Sequence, residues 1–175
     1  ASPFDLSDHK FNKILKKNFF FFKFFKQFLS KGNVLEIGPG YGYFSYFLRE
    51  NNFNIDLIEQ DHDLCDFYEK KLFFKNIYKD NFFNVNLQDD KYDAVVAWQV
   101  IEHLKTPNDW ILKISHSIKN YGYLFLSTPN ASSLQLKIMK SFWPHIDSPR
   151  HQFIYSPKLL KTIMERNNFI LIKNK

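Results

Sequence analysis

The chain has 175 residues, of which 45% are hydrophobic and 24% charged, as expected of a globular domain large enough to bury a core. Its single cysteine, Cys65, excludes an intrachain disulfide framework and any multi-cysteine zinc or iron–sulfur site. The net charge of +6 suits an anionic partner, but the lysines are spread along the chain and arginine occurs at only three positions. Because arginine is the residue best suited to hydrogen-bond bases and phosphates in pairs, we expect no nucleic-acid partner.

The amino-terminal region is dominated by a phenylalanine-rich stretch at residues 19–29. A helix there would carry apolar residues on more than one side, so we expect it to be buried against the sheet or a partner. Contact with a membrane surface and a lid over an acceptor pocket are the alternatives. The stretch is too short and too closely flanked by lysines to span a bilayer. No secretory signal is visible, and the lone cysteine favours a reducing, cytoplasmic setting.

From residue 32 onward, predicted strands alternate with predicted helices across short connections. This alternation implies parallel pairing and right-handed crossovers, hence an α/β fold with a doubly wound, mostly parallel sheet flanked by helices. Ligands of such sheets bind beyond the carboxyl ends of the strands. The predicted strands are 33–37, 54–59, a weak one at 76–79, 92–98, 123–127 and 169–172.

Two later helices begin at capping signals. Thr106 precedes Pro107 with an acid in the first turn, and Ser156 precedes Pro157. The first of these helices has a core stripe of Ile111, Ile114 and Ile118, followed by a turn at 120–122. The other predicted helices are 43–50 and 63–72.

Three of the five glycines fall in one turn, in the run Glu-Ile-Gly-Pro-Gly-Tyr-Gly at 36–42, between a predicted strand and a helix. Glycine there lets the chain bend sharply and lets a ligand approach the main chain closely. The dinucleotide fingerprint Gly-x-Gly-x-x-Gly is excluded because residue 43 is tyrosine. A P-loop is excluded because no Gly-Lys-Ser/Thr ending follows. A tight turn without a ligand remains the alternative for the glycines alone.

An acid two residues before Gly-x-Gly-x-Gly resembles motif I of the class I S-adenosylmethionine-dependent methyltransferases. Further runs resemble the branch of that family that includes ubiquinone-biosynthesis-type enzymes: Ile-Glu-His-Leu at 101–104, Thr-Pro-Asn at 128–130, Arg-His at 150–151 and Tyr-Ser-Pro at 155–157. The resemblance runs from residue 32 to the end. It implies a Rossmann-like sheet, S-adenosyl-L-methionine as cofactor and methyl transfer as activity. The sheet of this family usually ends in an antiparallel strand, and we expect this chain to lack it.

The resemblance assigns cofactor contacts to residues near the ends of the predicted strands. Glu36 would lie near the methionine amino group, and Glu59 would accept the ribose hydroxyls. Asp61 takes that second role if the strand ends two residues later. The implied cofactor residues are Glu36, Gly38, Pro39, Gly40, Gly42, Glu59, Gln60, Asp80, Asn81, Phe82, Trp98 and Gln99. Of these, Asp80, Asn81 and Phe82 would lie near the adenine, and Trp98 and Gln99 near the reactive end.

We therefore expect a single domain, 1–175. Residues 1–31 would form a helical segment and 32–130 the cofactor-binding core. Residues 131–155, which show no clear period, would cover the acceptor, and 156–175 would form the last helix and strand.

Three histidines are candidates for a catalytic base, which a hydroxyl acceptor would require. His103 follows the fourth strand, whereas His145 and His151 lie in the segment expected to cover the acceptor. A structural or solvated histidine is the alternative at each position. No pair of histidines has a convincing metal-ligand spacing, so we predict no metal.

The acceptor is expected to be a small molecule, most readily a hydroxyl of a sugar, glycolipid or quinone-type metabolite. The Asp/Asn-Pro-Pro-aromatic motif of base-amino methyltransferases is absent after the fourth strand, where Ala-Trp-Gln-Val occupies 97–100. Cys65 is in a predicted helix and so does not suit cysteine-dependent RNA methylation. An RNA methyltransferase and a non-catalytic interaction module are the alternatives, and the oligomeric state is left open.

Overall fold

The computed structural model describes residues 9–173, with side chains described for residue 16 and from residue 18 onward. These residues contain six α-helices, five β-strands and two short 3₁₀ turns. The helices are α1 His9–Phe25, α2 Tyr43–Glu50, α3 His62–Lys70, α4 Pro107–Ser117, α5 Leu134–Met139 and α6 Pro157–Arg166. The strands are β1 Asn33–Ile37, β2 Asn54–Ile58, β3 Ile77–Tyr78, β4 Tyr92–Trp98 and β5 Ile118–Ser127, and the 3₁₀ turns are Ile101–His103 and Lys140–Phe142.

The five strands form one open sheet in the order β3-β2-β1-β4-β5, and every pairing in it is parallel. This confirms the predicted α/β class. The strand order reverses between β1 and β4, because β1 pairs with β2 on one side and β4 on the other. Connections leaving the two strands therefore diverge at their carboxyl ends, and this divergence opens a crevice for a ligand.

Alternate residues of the central strands face two separate hydrophobic clusters. Val34 joins the cluster that contains residues of α1, α2 and α3. Leu35 and Ile37 join the cluster that contains Trp110 and Ile111 of α4. The sheet is thus covered by helices on both faces, as the predicted doubly wound arrangement requires.

The phenylalanine-rich helix α1 packs one side against the sheet. Phe22 and Phe25 are buried, and Phe25 contacts the rings of Phe44, Phe53 and Phe125 at centroid distances of 5.7, 5.4 and 4.7 Å. The prediction that this segment is buried against the sheet is confirmed for that side. In the part of the chain that the structure describes, no helix has both the length and the apolar character needed to cross a membrane.

Four details differ from the sequence-based predictions. Residues 120–122, predicted to form a turn, lie within β5. Residues 169–172 form no strand, because the segment does not pair with the sheet. The side chain of Thr106 makes no capping hydrogen bond, although α4 does begin at Pro107. Ile118 is buried as the first residue of β5 rather than as the last of the α4 stripe. The cap by Ser156, whose side chain accepts from the backbone N–H of Leu159, is as predicted.

Phe25→Ala should destabilise the protein strongly. Its side chain is fully buried among three other aromatic rings, so truncation leaves a cavity that costs about 3–5 kcal/mol in the free energy of unfolding. The matched control is Phe20→Ala in the same helix, where 55% of the residue is exposed and a change below about 1 kcal/mol is expected. Urea unfolding followed by circular dichroism gives both values, and equal losses would contradict the packing described.

Candidate active site

The glycine turn links the end of β1 to the start of α2 and has a left-handed backbone. Gly40 has a φ of 58°, and a Cβ atom built on it would meet no atom within 4 Å. Gly42 has a φ of 70°, and its Cβ would approach Leu72 Cδ1 to 2.9 Å. Gly42 is therefore required by packing, whereas the space beside Gly40 is open, as a ligand lying against the main chain would need.

The end of β2 is joined to the glycine turn by a side chain of α3. The hydroxyl of Tyr68 donates a hydrogen bond to the carbonyl oxygen of Gly40 and lies 3.5 Å from Glu59 Oε2. Glu59 Oε1 accepts from the backbone N–H groups of Gln60 and Asp61 at 2.9 and 3.0 Å. The carboxylate is thereby fixed beside the crevice.

Asp61 has a different task from Glu59. Its carboxylate caps α3 by accepting from the backbone N–H groups of Asp63 and Leu64 at 2.9 and 3.2 Å. Since β2 ends at Ile58, the first acid after the strand is Glu59. The geometry favours Glu59 over Asp61 as the acid facing a ligand.

The end of β3 lies next to the end of β2. Asp80 Oδ1 accepts from the backbone N–H of Asn81 at 2.6 Å and from Asn84 Nδ2 at 2.9 Å, and these hydrogen bonds lower the pKa of the Asp80 carboxyl. Asn81 Nδ2 donates to Gln60 Oε1 at 3.1 Å. Three of the residues assigned to the cofactor by resemblance are thus in one hydrogen-bonded loop pair.

Phe82 is placed by Lys113 of α4. The Lys113 ammonium donates to the backbone carbonyls of Phe82 and Phe83, each at 2.9 Å, and lies 5.0 Å from the centre of the Phe82 ring. Burial lowers the pKa of Lys113. The Phe82 ring is itself buried, and its centre is 5.7 Å from that of the Trp110 ring. This packing anchors the loop after β3 against α4.

Glu36 is a buried carboxyl in β1. Ser45 of α2 donates a hydrogen bond to its Oε2 atom, and only 2% of the residue is exposed. Burial raises the pKa of Glu36 from 4.5 to about 8, and the hydrogen bonds from Ser45 only partly oppose this. Glu36 therefore keeps its proton at neutral pH until a positive group comes near.

Trp98 and Gln99 lie at the carboxyl end of β4. Phe21 of α1 stacks on the Trp98 indole with ring centroids 4.7 Å apart, and Phe44 contacts it edge-on at 5.4 Å. Gln99 has a left-handed φ of 59°, and its Nε2 atom donates to Ser127 Oγ at 3.1 Å. This strained backbone turns the chain away from β4 directly after the aromatic wall.

Beyond Gln99, two histidines and a carboxylate converge. Glu102, His103 and His151 each offer one ligand atom within 4.8 Å of those of the other two. The Glu102 carboxylate is fully buried, and neither of its oxygens has a hydrogen-bond partner among residues 9–173. The main-chain carbonyl of Glu102 accepts from the N–H of Gln152 at 2.7 Å, which brings His151 to this position.

Main-chain carbonyls fix the tautomers of both histidines. His103 Nδ1 is 3.0 Å from the carbonyl oxygen of Arg150, and His151 Nδ1 is 2.8 Å from that of His145. A carbonyl oxygen can only accept, so each Nδ1 carries a hydrogen, and in the neutral form of each ring the lone pair is on Nε2. The cluster can thus take up a proton or a cation, and the predicted absence of a metal remains a prediction.

His145 does not join this cluster. Its ring lies 5.0 Å from that of Trp143, and its contribution to His151 comes from the main chain. The structure therefore brings His103 and His151 together and places the His145 ring elsewhere.

The comparison with protein families agrees with this arrangement. A family model described as a methyltransferase domain matches residues 10–174. The chain belongs to this methyltransferase family. It is a class I S-adenosylmethionine-dependent methyltransferase by fold and family, as the glycine motif predicted.

Curated relatives of this methyltransferase are similar over part of their length. The ubiquinone biosynthesis O-methyltransferase of Rickettsia typhi is 31% identical over 109 residues, which cover 58% of this chain and 43% of that protein. The mitochondrial ubiquinone biosynthesis O-methyltransferase of Dictyostelium discoideum is 38% identical over 55 residues, covering 31% of this chain and 17% of that protein. The chain thus matches less than half the length of these relatives.

Solved structures show the same methyltransferase fold. A SAM-dependent methyltransferase from Archaeoglobus fulgidus superimposes with a TM-score of 0.73 and 23% identity, covering 93% of this chain and 75% of the other. The YcgJ protein of Bacillus subtilis gives a TM-score of 0.70 and 14% identity, covering 87% and 67%.

The residues at the crevice fit the family's cofactor. Gly40 leaves open space against the main chain, Glu59 offers carboxylate oxygens for ribose hydroxyls, and buried Glu36 offers a carboxyl group that can ionise when an ammonium group comes near. This fit rests on positions at the carboxyl ends of adjacent strands.

Sequence reasoning about this methyltransferase missed three residues. Tyr68 and Lys113 lie in helices and show no motif of their own, since each acts through a loop distant in sequence. Glu102 was visible in the Ile-Glu-His-Leu run, but its buried and unpartnered state depends on residues 150–155. An acid inside an otherwise apolar run was the one available signal.

Glu36→Gln should change how the stability of this methyltransferase depends on pH. The unfolded carboxyl ionises near pH 4.5 while the folded one keeps its proton to about pH 8, so the folded state binds more protons between these values. Wild-type stability therefore contains a contribution that falls as pH rises through this interval, by at most about 1.4 kcal/mol per pH unit. The amide of the variant cannot ionise and lacks this contribution.

Urea unfolding at pH 5 and pH 8 measures the effect. The stability of Glu36→Gln relative to wild type should be higher at pH 8 than at pH 5. Glu50→Gln, at an exposed position, serves as the control and should follow wild type. Parallel curves for wild type and Glu36→Gln would show that Glu36 titrates normally in the folded state.

Proposed function

We propose that this chain transfers a methyl group from S-adenosylmethionine to a hydroxyl of a small-molecule acceptor, with a quinone-type metabolite as the leading class. The observation that carries the proposal is the cluster of two imidazole rings and a buried carboxyl group just beyond the end of β4. A hydroxyl must lose its proton to accept a methyl group, and an imidazole lone pair is suited to take it. The names of the curated relatives support an O-methylation and a quinone precursor.

In this proposal the carboxyl ends of β1, β2 and β3 hold the methyl donor. Glu59 accepts the ribose hydroxyls, Asp80 lies toward the adenine, and Glu36 faces the methionine ammonium. The sulfonium supplies an already activated methyl group, so the protein's task is mainly alignment and exclusion of water. Trp98, held between Phe21 and Phe44, forms a dry wall at the reactive end.

His103 and His151 act on the acceptor. The Nε2 atom of one imidazole takes the hydroxyl proton, and the nearby Glu102 carboxylate stabilises the imidazolium that forms. Glu102 is suited to this because its carboxyl group is buried beside the two rings and has no hydrogen-bond partner within the described residues. His145 takes no part through its ring in this arrangement.

Glu59→Ala should weaken cofactor binding without unfolding the protein. Loss of the ribose acceptor should weaken binding of S-adenosylhomocysteine at least tenfold in a calorimetric titration, as expected when hydroxyls lose a charged partner. Glu50→Ala removes an exposed acid from the end of α2 and is the matched control. Binding by Glu59→Ala that equals wild type would remove Glu59 from the cofactor site.

Of His103→Ala and His151→Ala, the variant that removes the base should lower kcat by about 10²–10⁴, the usual contribution of a positioned base. Their affinity for S-adenosylhomocysteine should stay unchanged, because neither imidazole touches the strand ends that hold the donor. Turnover is measured with labelled S-adenosylmethionine and a panel of hydroxylated aromatic and sugar acceptors. His116→Ala, at an exposed position of α4, is the control. Unchanged kcat in both variants would exclude these histidines as the base.

A further inference from the structure

The positive charge of this protein is concentrated in one segment. Residues 9–31, which comprise α1 and the turn after it, contain seven of the 24 basic residues and none of the 18 acidic ones. The rest of the chain therefore has 17 basic and 18 acidic residues and is close to neutral. Lysines are spread along the sequence, but acids are missing from this segment.

The outward side of α1 combines this charge with exposed aromatic rings. Lys16, Phe19, Phe20 and Lys23 have the spacing i, i+3, i+4 and i+7, which places them on one side of a helix. Phe19 and Phe20 are 43% and 55% exposed, and both lysines are exposed. The opposite side of the helix is the one that packs against the sheet through Phe22 and Phe25.

We propose that this outward side of α1, defined by Lys16, Phe19, Phe20 and Lys23, docks on an anionic membrane surface. Phenylalanine side chains enter the boundary between headgroups and acyl chains, and lysines at either end of the patch bind the negative headgroups. Because the inward side is already packed, α1 lies along the surface while the protein stays folded. The proposal does not rest on the identity of the acceptor.

Charge favours lipid over nucleic acid as the occupant. The segment has lysines and no arginine, whereas arginine is the residue that makes paired hydrogen bonds to phosphates and bases. Lysine suffices for a diffuse layer of anionic headgroups, where the attraction depends on charge rather than on hydrogen-bond geometry. Two adjacent exposed phenylalanines lie between the lysines. Their apolar contact would stabilise binding to lipid but not to a nucleic-acid duplex.

The docked surface adjoins the reactive end of the candidate site. Phe21, the residue after Phe20, stacks on Trp98 at the end of β4. The rings of Phe20 and Phe21 are 6.3 Å apart, so a single side chain connects the proposed docking surface to Trp98. An acceptor with an apolar tail would have a short path from the surface to the crevice.

Vesicle co-sedimentation of the full 175-residue chain tests the proposal. We expect binding to vesicles of phosphatidylcholine with about 30% phosphatidylglycerol in about 0.1 M salt, and at least tenfold weaker binding to phosphatidylcholine alone. Lys16→Glu/Lys23→Glu should lose at least tenfold in affinity for the anionic vesicles, and Phe20→Ser about fivefold or more. Binding of S-adenosylhomocysteine should be unchanged in these variants, which separates a failure of docking from a failure of the active site.

The matched control is Lys158→Glu/Lys161→Glu, two exposed lysines of α6 whose reversal gives the same net charge. This control variant should bind the anionic vesicles like wild type. An equal loss of affinity in both double variants would show that binding depends on net charge alone, and would contradict the proposed docking surface. Absence of wild-type binding to anionic vesicles would also overturn it. So would displacement of the protein from vesicles by single-stranded RNA with the same dependence on Lys16 and Lys23.

A second readout reports the depth of α1. Phe20→Trp, bound to anionic vesicles with brominated acyl chains, should show fluorescence quenching beyond that of Trp98, Trp110 and Trp143 in the wild type. Quenching no greater than in wild type would place residue 20 outside the acyl region and contradict the proposal.

Discussion

The hydroxyl of Tyr68 joins the two strand ends on which the candidate cofactor site depends. It donates to the carbonyl of Gly40 in the turn after β1 and lies beside the carboxylate of Glu59 after β2. The glycine turn has few side chains that could stabilise it. Its glycines have left-handed φ values, and in an isolated peptide glycine adopts other conformations as readily. Packing of α3 under Gly42 and the hydrogen bond from Tyr68 fix the turn before any ligand arrives, so less ordering is left for binding to accomplish.

The same principle extends across the neighbouring strand ends. Lys113 fixes the carbonyls after β3 from the other face of the sheet, and Ser45 fixes Glu36 from the first turn of α2. Glu36 and the loop after β3, both expected to contact the cofactor, are thus each held by a residue of a neighbouring helix. Glu36 differs from the others because burial keeps it protonated near neutrality, so its negative charge develops only when a cation approaches. A ligand ammonium is one such cation.

The sequence sufficed for those features whose signals are local. β1, β4 and the glycine turn were predictable because a short apolar run and a run of glycines specify them without reference to the rest of the chain. Residues 169–172 have a similar apolar, β-branched pattern, yet they form no strand, because a strand also needs a neighbour to pair with. Thr106 shows the same limit at a helix start, where the motif is present and the hydrogen bond is not made.

The acceptor side was less predictable for a physical reason. His103 and His151 are 48 positions apart, and they meet because the backbone of Glu102 pairs with the segment at 152–153 and Asn130 pairs with Tyr155. None of these contacts has a sequence signature, because main-chain hydrogen bonds carry no side-chain information. Residue type alone therefore gave three equal histidine candidates, and only tertiary structure separates the His145 ring from the other two.

The burial of Glu102 beside His103 and His151 bears on what this cluster can do chemically. The buried carboxyl group of Glu102 lies beside two imidazole rings and has no hydrogen-bond partner within the described residues. Its field reaches the hydroxyl of Tyr155, where burial and the charge of Glu102 together raise the pKa to about 12. Such an arrangement costs folding energy and is stabilised only when positive charge enters it. In the proposed reaction, the proton that leaves the acceptor hydroxyl supplies that charge.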